Sequence, residues 1–345
     1  MAATVYIIRH AEAEGNIYRR CHGLYDSLLT PRAYQQLPCL AKRFENVPLA
    51  AVYASPLFRA RTTAQAVAAP HGLTVELRND LHEIDMGDWE DLPWAELPHG
   101  WPDQYAKWCA RPWEAAPPHG ETVMQAGSRM LNEVRRLAQE NDGKAIAVVT
   151  HGSAIRGALT IAHGFPPEKM NEIGWGDNTC VARLDFADDG SIDVVYENDA
   201  SHLPQELSTF ACIGWKNAKG IPVSPQIWFR RADPNNPQDV DKLVEFMREL
   251  HRNAYGTDEG LDPAALLRDV ERAQQVSPRS CTFGLLEDGT PAALVYLKTW
   301  YDEEPDVGLL GGFCISSEYR GCGLSGKYII PVRAAMAVLC AGYTF

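Results

Sequence analysis

Cysteine pairs of the kind that build a disulfide framework or a zinc site are absent from this sequence. Its nine cysteines are odd in number, they are scattered along the chain, and no two of them are spaced as C-x-x-C. Disulfide-rich scaffolds and zinc knuckles both need regular cysteine spacing. The pattern therefore favours a reducing, cytoplasmic environment.

Long hydrophobic runs and a surplus of positive charge are also missing. No apolar stretch approaches the roughly 20 residues that a membrane helix needs, and no signal-peptide pattern precedes the first strand. The net charge of −13 argues against nonspecific binding to nucleic acid or acidic lipid, although it leaves room for a locally basic pocket that binds an anion. We expect a soluble cytoplasmic protein without a nucleic-acid or membrane partner.

The length predicts two domains, because a single hydrophobic core rarely serves 345 residues. Residues 1–203 alternate short apolar strands with helical patterns, which predicts an α/β fold with a largely parallel sheet covered by helices. Residues 204–225 show no sustained period and are punctuated by Gly and Pro, so we predict a linker there. The pattern of residues 226–345 predicts a second, α+β domain.

The first domain contains one segment that we predict to be irregular. Residues Pro93 to His119 are rich in proline and tryptophan, which is typical of a lid or specificity loop. The tryptophans in and before this segment admit two interpretations, an aromatic substrate wall or internal packing of a long loop, and packing is favoured.

Four separated segments carry residues suited to phosphate chemistry. Arg9 and His10 follow the first predicted strand, and Arg59 lies in the Ser-Pro-Leu-Phe-Arg segment that follows the second. Glu83 lies in a carboxylate-rich segment, and His151 follows another predicted strand. Because the carboxyl ends of strands in an open α/β sheet share one crevice, we expect these segments to converge.

A phosphoryl group in transfer carries negative charge on three oxygens and therefore needs several fixed cations or N–H donors. Arg9 and Arg59 supply guanidinium forks. His10 is the candidate phosphoryl acceptor, provided that a backbone carbonyl holds one ring nitrogen so that the other can attack. His151 would add electrostatic support, and Glu83 would protonate the leaving oxygen and later take a proton from water.

These segments resemble the histidine phosphatase superfamily, branch 1, with its phosphoglycerate mutase-like fold. The matching residues are Arg9, His10, Asn16, Gly23, Asp26, Leu29, Thr30, Ser55–Leu57, Arg59, Ala60, Thr63, Ala64, Leu81, Glu83, Gly87, Trp89, Glu90, Gly120–Thr122 and Thr150–Gly152. Six ordered matches over one domain are far more specific than a single Arg-His pair.

The resemblance implies a three-layer α/β/α domain and a role for each matched residue. The first histidine of the family is phosphorylated, which assigns that role to His10. Two arginines and the second histidine hold the phosphate, here Arg9, Arg59 and His151, and Glu83 corresponds to the proton donor. Asn16, Gly23 and Gly152 are further expected substrate contacts. The family's chemistry implies neither a metal nor a cofactor, and the expected substrate is a small phosphorylated metabolite.

The motifs leave three functions open: a phosphomonoester hydrolase, a phosphoglycerate mutase-type isomerase and a noncatalytic binding protein that senses phosphate and CoA. The segment from Pro93 to His119 holds Lys107 and Arg111 among several acidic residues. It therefore does not form a strongly basic clamp for a doubly phosphorylated sugar acid. We favour the hydrolase on this ground.

In the second domain a strand is followed by a glycine-rich turn that opens a helix. Glycines let backbone N–H groups approach a pyrophosphate at a helix N-terminus. The pattern resembles the GNAT superfamily of N-acetyltransferases, and the resemblance implies that acetyl-CoA binds there. The expected contacts are Arg320, Gly321, Gly323, Ser325 and Gly326.

The GNAT-like domain is expected to be incomplete. Only five residues follow the predicted helix from Lys327 to Cys340, whereas that family continues through further strands. An incomplete sheet would expose an edge, which predicts pairing with a second copy of the chain. Acetyl transfer by this chain alone is therefore left open.

Overall fold

The computed structural model describes residues 3–213, 227–277, 280–286, 288–298 and 309–320. The chain divides into two compact units, Met1–Gly214 and Trp215–Phe345. Each unit has its own hydrophobic clusters. No helix in the described part of the chain has the length and apolar character that a membrane crossing requires.

The first unit is built from six strands and eight α-helices within the described residues. The strands are β1 Ala3–Arg9, β2 Leu49–Ala54, β3 Val75–Leu77, β4 Ala145–Thr150, β5 Val181–Phe186 and β6 Ile192–Asp199. The helices are α1 Glu14–Tyr18, α2 Ala33–Phe44, α3 Phe58–Ala68, α4 Leu97–Gly100, α5 Pro102–Ala110, α6 Val123–Glu140, α7 Gly152–Ala162 and α8 Thr209–Ile213.

The six strands form one sheet in the order β3-β2-β4-β1-β5-β6. Strands β3, β2, β4 and β1 are parallel, whereas β5 and β6 are antiparallel additions. The expected α/β fold with a parallel-rich sheet is confirmed for this unit. Parallel strands direct their carboxyl ends to one edge, which is where the functional segments leave the sheet.

Apolar side chains on both faces of the sheet explain why helices cover it on both sides. Val148 belongs to a cluster with residues of α6 and α7, while its neighbours Ala147 and Val149 belong to a cluster with residues of α2 and α3. Successive residues of a strand point to opposite faces, so both faces of a central strand must be apolar. The result is a layered arrangement of helices, sheet and helices.

Helix α6 shows how local sequence sets an element boundary. The Thr122 hydroxyl accepts a hydrogen bond from the Gln125 amide, and the Gln125 side chain accepts one from the Thr122 amide. This reciprocal pair satisfies two amides that the first turn leaves without helical partners. Buried valine, methionine and leucine residues recur along the helix at helical spacing as far as Leu137, and the helix itself ends at Glu140.

The prediction that Pro93 to His119 lacks regular elements was wrong. The segment contains α4 and α5, and proline occupies one of the first two positions of each helix. Proline is tolerated there because the first-turn amide has no helical partner to lose. Two of the six prolines thus mark helix starts, whereas residues 111–119 contain no helix or strand.

Part of the segment that we predicted as a linker packs onto the first unit. Gln36 donates from Nε2 to the Leu207 carbonyl at 2.8 Å and to the Thr209 hydroxyl at 3.2 Å. The Ser208 hydroxyl donates to Asp177 at 2.6 Å and accepts from the Ala211 amide, which caps α8. A helix of five residues is too short to show a hydrophobic period, so sequence pattern did not reveal it.

The second unit contains a four-stranded antiparallel sheet in the order β10-β9-β8-β7. Its elements are β7 Ile227–Arg231, α9 Pro237–Tyr255, α10 Pro263–Val276, β8 Cys281–Leu286, β9 Pro291–Lys298 and β10 Leu309–Ile315. Residues of α9 and α10 pack on one face of this sheet, in a cluster that includes Phe246, Val270 and Phe283. Strands β8 and β9 are paired antiparallel as a hairpin, with Gly289 at φ +84° between them.

Candidate active site

Two histidines meet where β1 and β4 end side by side. Arg9 is paired with Thr150 in the parallel ladder, so the residues that follow them leave the sheet together. The His10 amide donates to the Thr150 carbonyl at 3.0 Å. As a result the rings of His10 and His151 lie 5.1 Å apart between centroids.

The His10 ring is held in one tautomer by the backbone. Its Nδ1 lies 2.7 Å from the Ala11 carbonyl oxygen, and since a carbonyl only accepts, Nδ1 must carry the proton. Nε2 is then left with a lone pair. Burial, followed by the charges of Arg59 and Arg9, holds the pKa of His10 well below its usual value. The imidazole is therefore neutral at neutral pH.

Arg59 is fully buried and fastened to the loop that follows α1. Its Nη1 donates to the Tyr25 carbonyl at 2.7 Å, and its Nη2 donates to the carbonyls of Gly23 at 2.7 Å and His22 at 3.3 Å. Burial lowers the pKa of Arg59 to about 10, which keeps it cationic at neutral pH. A guanidinium has five N–H donors, so further donors remain beyond these three bonds.

Arg9 presents a buried donor that nothing in the described part of the chain satisfies. Its Nη1 donates to the Gly176 carbonyl at 2.6 Å, while its Nε is buried without a hydrogen-bond partner there. A Cβ added to Gly152 would lie 3.3 Å from this Nε and 3.6 Å from Cζ3 of Trp175. The glycine therefore keeps space open beside the guanidinium.

His151 is completely buried behind His10. Its Nε2 lies 2.8 Å from the Ser55 hydroxyl at the end of β2, and its Nδ1 has no hydrogen-bond partner within the described residues. Burial, followed by the charge of Arg59, holds the pKa of His151 well below its usual value. Both imidazoles are thus uncharged in a pocket whose positive charge comes from arginine.

Glu83 is bound to the N-terminus of α7. Its Oε1 accepts hydrogen bonds from the amides of Ala154 and Ile84, each at 2.9 Å, and its Oε2 accepts one from the Ser153 amide at 3.1 Å. Amides at a helix start lack helical partners and attract carboxylates. The carboxyl group is consequently fixed beside the residue that follows His151 and Gly152.

Asn16 and Gly23 have mainly structural contacts. Asn16 accepts from the Ala13 amide at 2.9 Å through Oδ1. The Gly23 amide donates to Glu90, whose carboxylate also accepts from the Leu24 and Tyr25 amides. A Cβ on Gly23 would overlap the Ile84 carbonyl, so this position requires glycine.

These elements surround a cavity of about 510 Å³. Six of the eight residues predicted for the phosphate site line it, namely Arg9, His10, Asn16, Arg59, Glu83 and Gly152. The remaining two, Gly23 and His151, contact lining residues from behind. The structure therefore brings together the residues that the four sequence segments contributed.

Sequence reasoning missed several residues of the cavity wall. Besides the predicted residues, the wall includes Arg19, Arg20, His22, Trp94, Trp108, Trp175, Thr209 and Phe210. The Nε2 of His22 lies 3.0 Å from a carboxylate oxygen of Asp91. Trp94 and Trp108 pack against a hydrophobic cluster, as the favoured interpretation of these tryptophans predicts, and they also line the cavity. Trp175 and Phe210 carry no sequence signal.

Arg320 is the only described member of the predicted acetyl-CoA loop, and it is committed to local contacts. Its Nε donates to the Ile315 carbonyl at 3.1 Å, and its Nη2 pairs with Glu249 of α9. Gly321, Gly323, Ser325 and Gly326 lie outside the described residues. Over the part of the chain that the structure describes, no group of His, Cys, Asp and Glu is arranged to hold a metal ion.

The fold and the cavity define a class: an α/β protein whose cavity lies at the ends of parallel strands and is surrounded by arginine and histidine side chains. The chain belongs to the histidine phosphatase superfamily (branch 1), whose family model matches residues 5–199. This membership supports a phosphatase activity.

Relatives of this chain are found among both phosphatases and mutase-like proteins. It is similar to phosphoserine phosphatase 1 of Hydrogenobacter thermophilus, with 28% identity over 168 residues, which cover 49% of this chain and 80% of that protein. Phosphoglycerate mutase-like protein 4 of Arabidopsis thaliana is 31% identical over 206 residues, covering 59% and 88%. The structure of YhfR of Bacillus stearothermophilus matches with a TM-score of 0.56 and 30% identity, covering 58% of this chain and 98% of that chain.

Proposed function

We propose that the first unit is a phosphomonoester hydrolase that works through a phosphohistidine on His10 and acts on a small phosphorylated metabolite. The observation that carries this proposal is the state of the His10 ring, whose Nδ1 is bound to the Ala11 carbonyl so that Nε2 is unprotonated. The ring lies in the cavity wall with the buried Arg59 and the half-buried Arg9. A neutral imidazole with a free lone pair is a competent phosphoryl acceptor.

In the first step Nε2 of His10 attacks phosphorus, and the bond from phosphorus to the leaving oxygen breaks. Glu83 gives its proton to that oxygen, so the product leaves as a neutral alcohol. The buried Nε of Arg9 and the remaining donors of Arg59 bind the phosphoryl oxygens. Donors already oriented in a water-poor site stabilise the charge that develops on those oxygens without reorganisation.

In the second step water attacks the phosphorus of the phosphohistidine. Glu83, now a carboxylate, takes a proton from the water, and the nitrogen–phosphorus bond breaks. Inorganic phosphate leaves and His10 returns to its neutral state. The position of Glu83 in the cavity wall at the N-terminus of α7 supports one carboxyl group serving both steps.

The test replaces His10 by alanine in the full-length chain. We expect phosphate release from a phosphomonoester panel to fall by about a thousandfold or more, since the nucleophile is lost. We also expect an acid-labile, alkali-stable label on the wild-type protein after mixing with ³²P-labelled ester. The exposed His99 on α4 offers a matched control, and His99→Ala should retain both activity and label.

The two other functions give different results in the same experiment. A mutase would exchange phosphate between phosphoglycerates with a bisphosphate primer and release little free phosphate. A noncatalytic sensor would never label His10. Retained hydrolysis in the His10→Ala variant would remove the phosphohistidine mechanism altogether.

We further propose that the second unit binds an acyl-CoA and carries a GNAT-like fold. An antiparallel sheet covered on one face by α9 and α10 supports this proposal. To reach the ligand, Arg320 would have to leave its contacts with Ile315 and Glu249. The glycine-rich residues after Arg320 would approach the pyrophosphate closely through their amides. Acetyl-CoA is the expected ligand of this unit, whereas the phosphatase reaction needs no cofactor.

A further inference from the structure

Beyond the phosphate-binding residues, the walls of the cavity are largely aromatic. Four large rings line it: Trp94, Trp108, Trp175 and Phe210. They come from three separate parts of the chain, before and within α5, after α7, and from α8. The leaving group of the substrate must lie among these rings, because the phosphate occupies the arginine and histidine end.

Two of the rings are held by a packed cluster and are preorganised. Trp94 and Trp108 pack against a hydrophobic cluster that contains the completely buried Trp89. Trp108 meets Trp89 edge to face, with ring centroids 5.8 Å apart and planes at 78°. The Trp94 amide donates to the Arg19 carbonyl at 3.0 Å. A fixed aromatic surface binds a flat ligand with little loss of side-chain freedom.

The other two rings are exposed and are therefore accessible to a ligand. Trp175 is 52% exposed and Phe210 is 43% exposed. Each ring is braced by a guanidinium, that of Arg156 at 4.8 Å from Trp175 and that of Arg9 at 5.9 Å from Phe210. Arg9 is itself a phosphate-site residue, so Phe210 lies next to the reacting end of the cavity.

Most of the charged side chains in the rest of the wall already pair with other groups of the protein. Arg20 and His22 both pair with Asp91, and Glu83 is the one carboxylate in the wall as the structure describes it. Arg19 is the remaining arginine of the lining outside the phosphate-binding end. The wall therefore has little to offer a leaving group with several charges and much to offer an apolar, planar one.

We propose that the substrate is a phosphomonoester whose leaving group carries a planar aromatic ring, which stacks against the indoles of Trp94, Trp108 and Trp175 and the ring of Phe210. This inference rests on the proposed function, since it names the substrate class of the same site. Offset or edge-to-face contact between rings adds binding beyond the area that is buried. That binding persists in the transition state and raises kcat/KM.

Two matched pairs of esters test the proposal in the full-length protein. 2-Phenylethyl phosphate and 2-cyclohexylethyl phosphate have similar size and leaving alcohols but differ in ring planarity. Adenosine 5′-monophosphate and ribose 5-phosphate share the phosphorylated pentose and differ by the aromatic base. We expect kcat/KM to favour the aromatic member of each pair, by about threefold in the first and about tenfold in the second.

Substitutions of single rings in the cavity wall test whether these rings cause the preference for aromatic esters. Trp175→Leu and Phe210→Leu should each lower the aromatic-to-nonaromatic ratio of kcat/KM by about threefold, and both positions are exposed enough to tolerate the change. Tyr34→Leu is the matched control, because Tyr34 is 55% exposed and does not line the cavity. It should leave the ratio unchanged.

Equal kcat/KM values within both pairs, measured on an active enzyme, would overturn the inference and leave the phosphatase proposal intact. A preference for 3-phosphoglycerate over all four esters would also overturn it and would assign Arg19 to a second anionic group. No release from any ester, together with an unlabelled His10, would instead remove the proposed function, and this inference with it.

Discussion

At the scale of single residues, the site combines neutral histidines with charged arginines. Burial is the largest cause of the lowered pKa values of His10 and His151, and the neighbouring arginines add to it. A histidine is neutral above its pKa, so a lowered value keeps both rings neutral even in mildly acidic solution. At neutral and mildly acidic pH, His10 is therefore neutral and able to attack while Arg9 and Arg59 remain charged.

The role of Glu83 gives a prediction at this scale. Glu83→Gln keeps the shape of the side chain but removes the proton, so kcat/KM for alkyl phosphates should fall by roughly 10²–10⁴. For 4-nitrophenyl phosphate, whose leaving group needs no proton, kcat/KM should fall by about tenfold or less. Since kcat/KM reports the steps up to P–O cleavage, slow dephosphorylation does not enter the comparison.

Comparable losses on both esters would contradict acid catalysis by Glu83. They would instead indicate that this side chain acts by holding Ser153 and Ala154 at the start of α7. The two substrates thus serve as controls for each other within one variant.

At the scale of elements, the position of α7 depends on a close contact with α6. A Cβ on Gly127 would overlap the backbone of Gly157, and a Cβ on Gly157 would overlap the Val123 carbonyl. The two helices approach this closely because both residues lack side chains. Helix α7 carries the amides that hold Glu83 and follows directly after His151, so this contact positions the site.

We expect Gly127→Ala to lower the free energy of unfolding by about 2 kcal/mol, because the added methyl group forces α6 away from α7. Alanine normally stabilises a helix interior relative to glycine by about 1 kcal/mol, so the sign of the change is informative. Urea denaturation measures it. Gly100→Ala is the control, since no atom lies within 4 Å of a Cβ at that position.

Phosphatase activity should fall in the Gly127→Ala variant and stay unchanged in Gly100→Ala. A gain in stability at Gly127 would show that the helices can separate without cost. In that case α7 would not be positioned by this contact.

At the scale of the whole molecule, the chain joins two units with separate cores. Multidomain proteins often unfold in more than one transition. A ligand that binds one folded unit raises the stability of that unit by mass action. Ligand-induced shifts can therefore be assigned to one unit or the other.

We expect acetyl-CoA at millimolar concentration to raise the unfolding temperature of the second unit by a few degrees and to leave the first unit unchanged. Inorganic phosphate should do the reverse. Differential scanning calorimetry of the full chain measures both transitions. Pantetheine lacks the pyrophosphate and should give no shift, whereas an equal shift with pantetheine, or none with acetyl-CoA, would contradict pyrophosphate binding.

Local sequence pattern was enough to predict which residues leave the sheet at its functional edge. Arg9 and His10, Ser55 and His151 each follow a short apolar run, and such runs form the parallel strands β1, β2 and β4. Local pattern sufficed here because strand formation and the common direction of parallel strands are set by short segments. The glycine-rich turn after Arg320 remains a prediction from the sequence.

The side chains that surround this edge could not be predicted from local pattern, because they come from distant parts of the chain. Trp175 and Phe210 reach the cavity because Asp177 and Gln36 anchor the segment that leads to α8, and no sequence period marks these long-range contacts. Arg59 likewise donates hydrogen bonds to three loop carbonyls that lie 34 to 37 residues away in the sequence. Side-chain direction and wall composition arise from packing between distant segments, which local propensity does not encode.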